Sequence, residues 1–414
     1  MRDNTSWFNE NWWISPWNYQ EEIRKDFNLP NKIFVRDSTI REGEETPGVS
    51  YTLDQKLDIA KKLEEIGVRH IDCGYVGKVK DHWDCAKKIK EIGLKLITYC
   101  HLSSNPSTWT EEINNALDAE IDYIGFGIVL TPWQLKLFTG EDKITPEIMI
   151  SLIPSVLKRI KRLGGKAILD CVDATRSEFN LLKEAILKGI KNNVKMIMLY
   201  DTVGACNIPA ITWMVRELKK IVGNTPLGIH VHDDFGLGTA STIAAVEQGV
   251  EYMDLVVNKL GDRAGNTSFE EVVVALEMLY GVNTGIKLSK LFDLSKHVEK
   301  ISGIPLPFNK PVVGKNTFIH ESELHVMSAM KKEKYWMCFT PYRPDVVGQK
   351  EKIIFGPTTL HGEAIKMKCS QLGYEDFEGK VPEILSTVHD LIKNSGYVSE
   401  NQIEEIIKKL LNKS

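Results

Sequence analysis

Eight short apolar runs rich in β-branched residues recur through the first two-thirds of the chain, at 33–40, 70–73, 95–100, 123–129, 167–171, 195–200, 228–232 and 253–258. The segments between them, among them 52–66, 85–92, 150–163 and 208–222, carry apolar residues at three- and four-residue spacings. That is the rhythm of a helix with one buried face. Strands that pair in parallel need a crossover between them, and each strand–helix unit takes about 30 residues. Eight such units predict either a closed (β/α)8 TIM barrel or an open, doubly wound sheet, and their even spacing favours the barrel.

The rhythm breaks at both ends. Residues 1–30 hold Trp7, Trp12, Trp13 and Trp17, four of the nine tryptophans. An aromatic arm of that kind is expected to pack on the barrel, on a partner subunit, or on itself as a local flap. The barrel domain is expected over 31–301. From 302 onward come Pro305, Pro307 and Pro311, then mixed short elements, then helices near 382–393 and 399–411. The last of these has Ser399 placed to cap it and Glu400 in its first turn. Residues 302–414 therefore read as a linker and a smaller, mostly helical C-terminal domain.

Composition narrows the function more than the fold. The 414 residues carry 52 Lys and Arg against 56 Asp and Glu, a net charge of −4, so no basic excess supports nucleic-acid binding. The longest apolar runs are strand-sized, which argues against a membrane span. The first residues lack the apolar core of a secretory signal. Seven cysteines without a CxxC pair fit reduced thiols in a cytoplasm better than a disulfide framework or a zinc ribbon.

In a barrel, groups that act on ligands gather at the carboxyl ends of the strands. Arg41 and Glu42 follow the first run, Asp72 closes the second, and His101 follows the third. Asp173 and Arg176 follow the fifth, Asp201 and Thr202 the sixth, and a glycine-rich loop from Gly261 to Asn266 follows the eighth. The seventh run carries His230 and His232, which face the same side because alternate strand residues do. Two neutral imidazoles with a carboxylate from another strand make an open site for a divalent metal. Glu42 is the candidate carboxylate, and Asn266 a candidate for a weak oxygen ligand. A bare HxH pair is also found as two hydrogen-bonded histidines of no special role. Arg41, beside the candidate ligand, suits an enolate or alkoxide oxygen, or else an ion pair with Asp72 or Asp201.

The stretch Arg36-Asp37-Ser38-Thr39-Ile40-Arg41-Glu42-Gly43-Glu44-Glu45-Thr46-Pro47-Gly48 resembles the opening strand of the DRE-TIM metallolyases. Within that family it is similar to the homocitrate, 2-isopropylmalate and citramalate synthases. His230-Val231-His232-Asp233-Asp234-Phe235-Gly236-Leu237-Gly238 resembles their metal strand, and 260–266 resembles their glycine-rich loop. Asp173-Ala174-Thr175-Arg176 and Asp201-Thr202-Val203-Gly204 also fit the pattern. The resemblance implies a Claisen condensation of acetyl-CoA, or a similar acyl-CoA, with a 2-oxo acid, followed by thioester hydrolysis. It implies that Glu42, His230 and His232 hold Mg²⁺, Mn²⁺ or Zn²⁺ with Asn266 nearby, that Arg41 stabilises the oxyanion, and that Thr202 binds the oxo-acid carboxylate. Residues 317–325 resemble the segment whose second histidine reaches a neighbouring active site. His325 is thus the implied acid/base and a homodimer the implied assembly; the plain alternative is a surface histidine.

The sequence departs from the family pattern at Glu45, Val172, Lys259, Asp262 and Phe339, positions grouped around substrate and proton handling. An acyl-CoA lyase of the hydroxymethylglutaryl-CoA type is disfavoured, because that pattern carries a cysteine in the glycine-rich loop. A biotin-dependent carboxyltransferase places a modified lysine where this chain has Asp170-Cys171-Val172-Asp173. A barrel that binds a metabolite without turnover is the reading from another class. His101 and Arg176 sit where they would meet a second carboxylate, which tilts the acceptor towards oxaloacetate or 2-oxoglutarate, giving citrate or homocitrate. If both instead serve ion pairs, the acceptor is monocarboxylic, such as pyruvate or 2-oxoisovalerate.

Overall fold

The structure, a computed structural model, describes residues 7–103, 107–139, 144–359 and 361–412. The chain divides into two compact units, one built on Trp17–Leu306, the other on the residues from Pro307 onward with the stretch that ends at Pro16. Among the described residues the first unit is a closed barrel of eight parallel strands. They are β1 (Phe34–Asp37), β2 (His70–Asp72), β3 (Ile97–His101), β4 (Tyr123–Val129), β5 (Ala167–Val172), β6 (Ile197–Asp201), β7 (Leu227–Val231) and β8 (Tyr252–Leu255). Each pairs with the next, and Phe34–Asp37 closes the ring in register with Tyr252–Leu255. That closure settles the barrel against the open sheet. Every strand falls on its expected run, shifted by a few residues at most.

Local chemistry sets the helix ends. Thr52 accepts from the Gln55 backbone while the Gln55 side chain accepts from the Thr52 backbone, which satisfies two orphan donors at the start of Leu53–Ile66. Asn207 caps Ile208–Val222 in the same way through one bond. These helices cover the barrel with their apolar faces, for example Ile59, Ala60 and Leu63 on the first and Ile211, Val215 and Leu218 on the second, all with no exposed surface.

The barrel interior is layered. Tyr99, Ile168, Met196, Met198 and Tyr200 form a packed apolar layer. Towards the carboxyl ends the inward residues turn charged: Arg36, Asp72, Asp170 and Asp254 are all at most 2% exposed. Buried charges persist only when paired, so this polar layer predicts its own network of partners.

The second unit, taken by itself, packs Glu323–Met330, Glu363–Gln371, Val381–Ser395 and Glu400–Leu411 around a core that includes Phe355, Ile365, Ile384, Val388, Ile403 and Ile407. Ser399 caps the last helix in a capping box with Gln402. Alongside the expected helices lies a small sheet, with β9 (Ile319–His320), β10 (Lys352–Phe355) and β11 (Val398–Ser399) in the order β11-β10-β9. Strands of two to four residues are too short to show a clear period of two, which is why the sequence pattern missed them. The N-terminal aromatic stretch does not pack as one arm. In the second unit Trp13 N donates to Pro341 O at 2.9 Å and Arg343 N to Asn11 O at 2.9 Å. In the barrel unit the Tyr19 hydroxyl donates to Met278 O at 2.8 Å. No helix among the described residues is long and apolar enough to cross a membrane.

Candidate metal centre

Glu42, His230 and His232 converge at the carboxyl end of the barrel. Each is buried, and one ligand atom from each lies within 4.8 Å of the others. Glu42 opens a short helical turn, Glu42–Glu45, directly after β1. His230 lies on β7 and His232 just beyond its end.

The polar layer beneath orients the first imidazole. His230 Nδ1 lies 2.8 Å from Asp254 Oδ2, and Arg36 Nη2 donates to the same oxygen at 2.6 Å. Burial alone would raise the Asp254 carboxyl, but Arg36 and His230 overcome this and hold it well below the usual carboxylate range. Ionised, it accepts only, so His230 donates from Nδ1 and turns Nε2 towards Glu42, whose Oε1 is 3.7 Å away. His232 is pushed down to about 4 by burial and by the neighbouring His230, so it is neutral near pH 7. Burial raises the Glu42 carboxyl, and Arg41, His230 and His232 more than reverse that, leaving it below its ordinary value.

A divalent cation fits this donor set. His232 Nδ1 and Asn266 Oδ1 are buried without a hydrogen-bond partner, and such atoms cost about 1–3 kcal/mol each unless satisfied. Asn266 also donates from Nδ2 to Glu42 Oε2 at 3.2 Å. Its approach depends on Gly261, at φ +137°, where a Cβ would sit 2.0 Å from Asn266 Nδ2. Thr46 ties the loops together by accepting from Gly261 N at 2.7 Å.

Arg41 pairs with Glu42, with Asp72 at 3.1 Å and with Glu45 at 3.1 Å. Asp201 is not among its partners; that carboxylate instead accepts from Thr175 Oγ1 and from Ala205 and Cys206 N. His101 is clamped on both nitrogens, Nε2 to Asp72 Oδ2 at 2.9 Å and Nδ1 to Asp170 Oδ2 at 2.8 Å. Burial would lower its pKa, but the two carboxylates prevail and raise it to about 9. Arg176 Nε pairs with Asp173 at 2.8 Å. The two residues expected to meet a second substrate carboxylate are therefore both engaged in ion pairs. Thr202 Oγ1 accepts from Asp173 N at 2.9 Å. His325 lies in the second unit, stacked on Phe339 with ring centroids 4.0 Å apart.

Sequence reasoning passed over Asp254 and Asp170. A signal was present in both: each is a lone carboxylate inside an apolar strand, Tyr252–Leu255 and Ala167–Val172, where an unpaired charge would be untenable.

Residues 32–298 match the HMGL-like family model. The chain is 33% identical over 393 residues to a homocitrate synthase AksA of Methanopyrus kandleri, covering 95% of this chain and 96% of that protein. It is 34% identical over 405 residues to a 2-isopropylmalate synthase of Methanocaldococcus jannaschii, covering 95% of this chain and 76% of the relative. An (R)-citramalate synthase CimA of the same organism is 32% identical, over 92% of this chain and 75% of its own length. In fold the barrel is similar to an HMG-CoA lyase from Acinetobacter baumannii, with a TM-score of 0.59 at 18% identity over 70% of this chain and 97% of that one.

Proposed function

Because the chain belongs to the HMGL-like family, we propose that it condenses acetyl-CoA with a 2-oxo acid in a divalent-metal-dependent Claisen reaction, acting as an acyl-CoA:2-oxo acid C-acyltransferase. The observation that carries this reading is the convergence of buried Glu42, His230 and His232 beside Arg41. The relatives named homocitrate, 2-isopropylmalate and citramalate synthase support it. A divalent ion held by the triad supplies Lewis-acid polarisation of the acceptor's keto group.

In the reaction a base removes a methyl proton from acetyl-CoA, and the carbanion adds to the keto carbon. The alkoxide takes up a proton, and water splits the thioester into a carboxylate and the free thiol of CoA. Arg41, held beside Glu42 and Asp72, places fixed positive charge where the oxyanion develops. Thr202 already accepts a bond from Asp173 N, so its hydroxyl proton is left to donate to the acceptor carboxylate. The base in this reading is His325, delivered from a second copy of the chain in a homodimer. Burial and then His320 push its pKa below the ordinary value, which keeps the ring neutral and able to take a proton near pH 7. The seven free cysteines accord with the reducing cytoplasm.

A thiol-release assay tests the proposal, with acetyl-CoA, each of Mg²⁺, Mn²⁺ and Zn²⁺, and a panel of mono- and dicarboxylic 2-oxo acids, followed by product identification by mass spectrometry. Release of CoA with a 2-alkylmalate-type product is the expected result. No release with any acid and any metal contradicts it.

A further inference from the structure

We propose that Asp170 sets the acceptor class, excluding a 2-oxo acid with a second carboxylate and admitting a monocarboxylic one with an uncharged side chain. This rests on the condensation reading above and concerns the wall of the same barrel mouth.

The His101 ring reaches across β4 to Asp170 on β5, and β4 permits it only because position 125 is glycine. A Cβ there would lie 2.1 Å from Asp170 Oδ2 and 3.0 Å from His101 Nδ1. Both imidazole nitrogens are occupied by carboxylates, so His101 has neither left to offer an acceptor. Asp170 Oδ2 is spent on His101, whereas Oδ1 is buried without any hydrogen-bond partner, on a side chain only 3% exposed. Oδ1 is bonded to the same carbon as Oδ2 and stays inside the barrel with it. It wants a donor, which a water or an acceptor hydroxyl supplies and a carboxylate does not.

The neighbouring wall is uncharged. Val172 lies two residues further along β5, on the same face as Asp170, and is half-buried. Gly127, opposite Asp170 in register, leaves open space, since a Cβ there would meet only Val172 Cγ2 at 3.7 Å. Among the described residues, the cations of this rim are each matched to carboxylates: Arg41 to Asp72, Arg176 to Asp173, Lys259 to Asp233 and Arg263 to Asp234. A distal carboxylate on the acceptor would find no unpaired cation here and would lie beside the Asp170 carboxylate, a repulsive element of the kind that gives specificity by rejection.

Calorimetric titration of the manganese-loaded protein with length-matched acids, in the absence of acetyl-CoA, tests this. The pairs are 2-oxobutyrate with oxaloacetate and 2-oxovalerate with 2-oxoglutarate. In each pair the monocarboxylic acid is expected to bind about a hundredfold more tightly. Asp170→Asn, which keeps the shape and removes the charge, and Asp170→Ser should narrow that ratio by about tenfold or more. Equal or tighter binding of the dicarboxylic acids to the unaltered protein overturns the inference, as does an unchanged ratio in the variants. Binding in the expected order without thiol release on adding acetyl-CoA supports the inference and overturns the condensation reading instead.

Discussion

The Asp254 carboxylate receives the Nδ1 proton of His230 at 2.8 Å, and this single contact decides which imidazole nitrogen faces Glu42. Asp254→Asn should therefore lower metal affinity by about 10- to 100-fold, as loss of a ligand-orienting carboxylate does elsewhere. The asparagine can still accept from His230 or Arg36 but offers no charge to hold them. Competition with a fluorescent chelator reads the affinity, and an unchanged constant would show that Asp254 does not position the ligand.

Arg41 touches Glu42 but is not placed to ligate, so metal binding and turnover should separate at this residue. Arg41→Ala is expected to cut kcat by about 10²–10³, with metal content unchanged. Steady-state kinetics alongside elemental analysis check both halves. A variant that loses the metal together with its activity would make Arg41 a support for Glu42 and not an oxyanion group.

His101 carries a pH signature. Its pKa is raised in the folded protein to about 9, against about 6.5 for an unperturbed histidine. A raised pKa on a base means that the folded state holds the proton more tightly. The resulting stabilisation, about 3 kcal/mol, is complete below pH 6.5 and lost as pH rises through 9. Denaturant unfolding of the native protein between pH 6 and pH 10 should show that loss, and His101→Gln should lack it. Parallel pH profiles for the two proteins would mean that the clamp carries no net charge preference.

The same clamp makes Gly125 intolerant of a side chain. Gly125→Ala puts a methyl group onto Asp170 Oδ2 and should destabilise the barrel unit by about 1–3 kcal/mol. A matched Gly127→Ala, with room for its Cβ, serves as the control. Equal unfolding midpoints for the two variants would refute the steric account.

What the sequence disclosed and what it hid divide along physical lines. The eight strands were legible because each buried run is apolar and each following helix keeps a separate rhythm. Glu42, His230 and His232 were legible because HxH on a strand fixes a shared direction, and the opening motif resembled a known family. The network that tunes them was not. Asp254, Asp170 and Arg36 act through pairings between strands, joining residues separated by up to 218 positions, and no local pattern encodes a pairing of that range. His101 shows the consequence. Its rim position suggested a substrate contact, yet the carboxylates on either side had already claimed both ring nitrogens. Phe339 reads in the sequence only as a departure from the family pattern, and the structure gives it a stacking role against His325.

Titration of metal-stripped protein with Mn²⁺, followed by calorimetry or by the proton relaxation of water, tests the metal centre most directly. One site per chain is expected in the unaltered protein, lost in both Glu42→Gln and His232→Ala while each variant keeps its cooperative unfolding transition. Stoichiometric binding that survives in both variants, or none in the unaltered chain, would contradict the account.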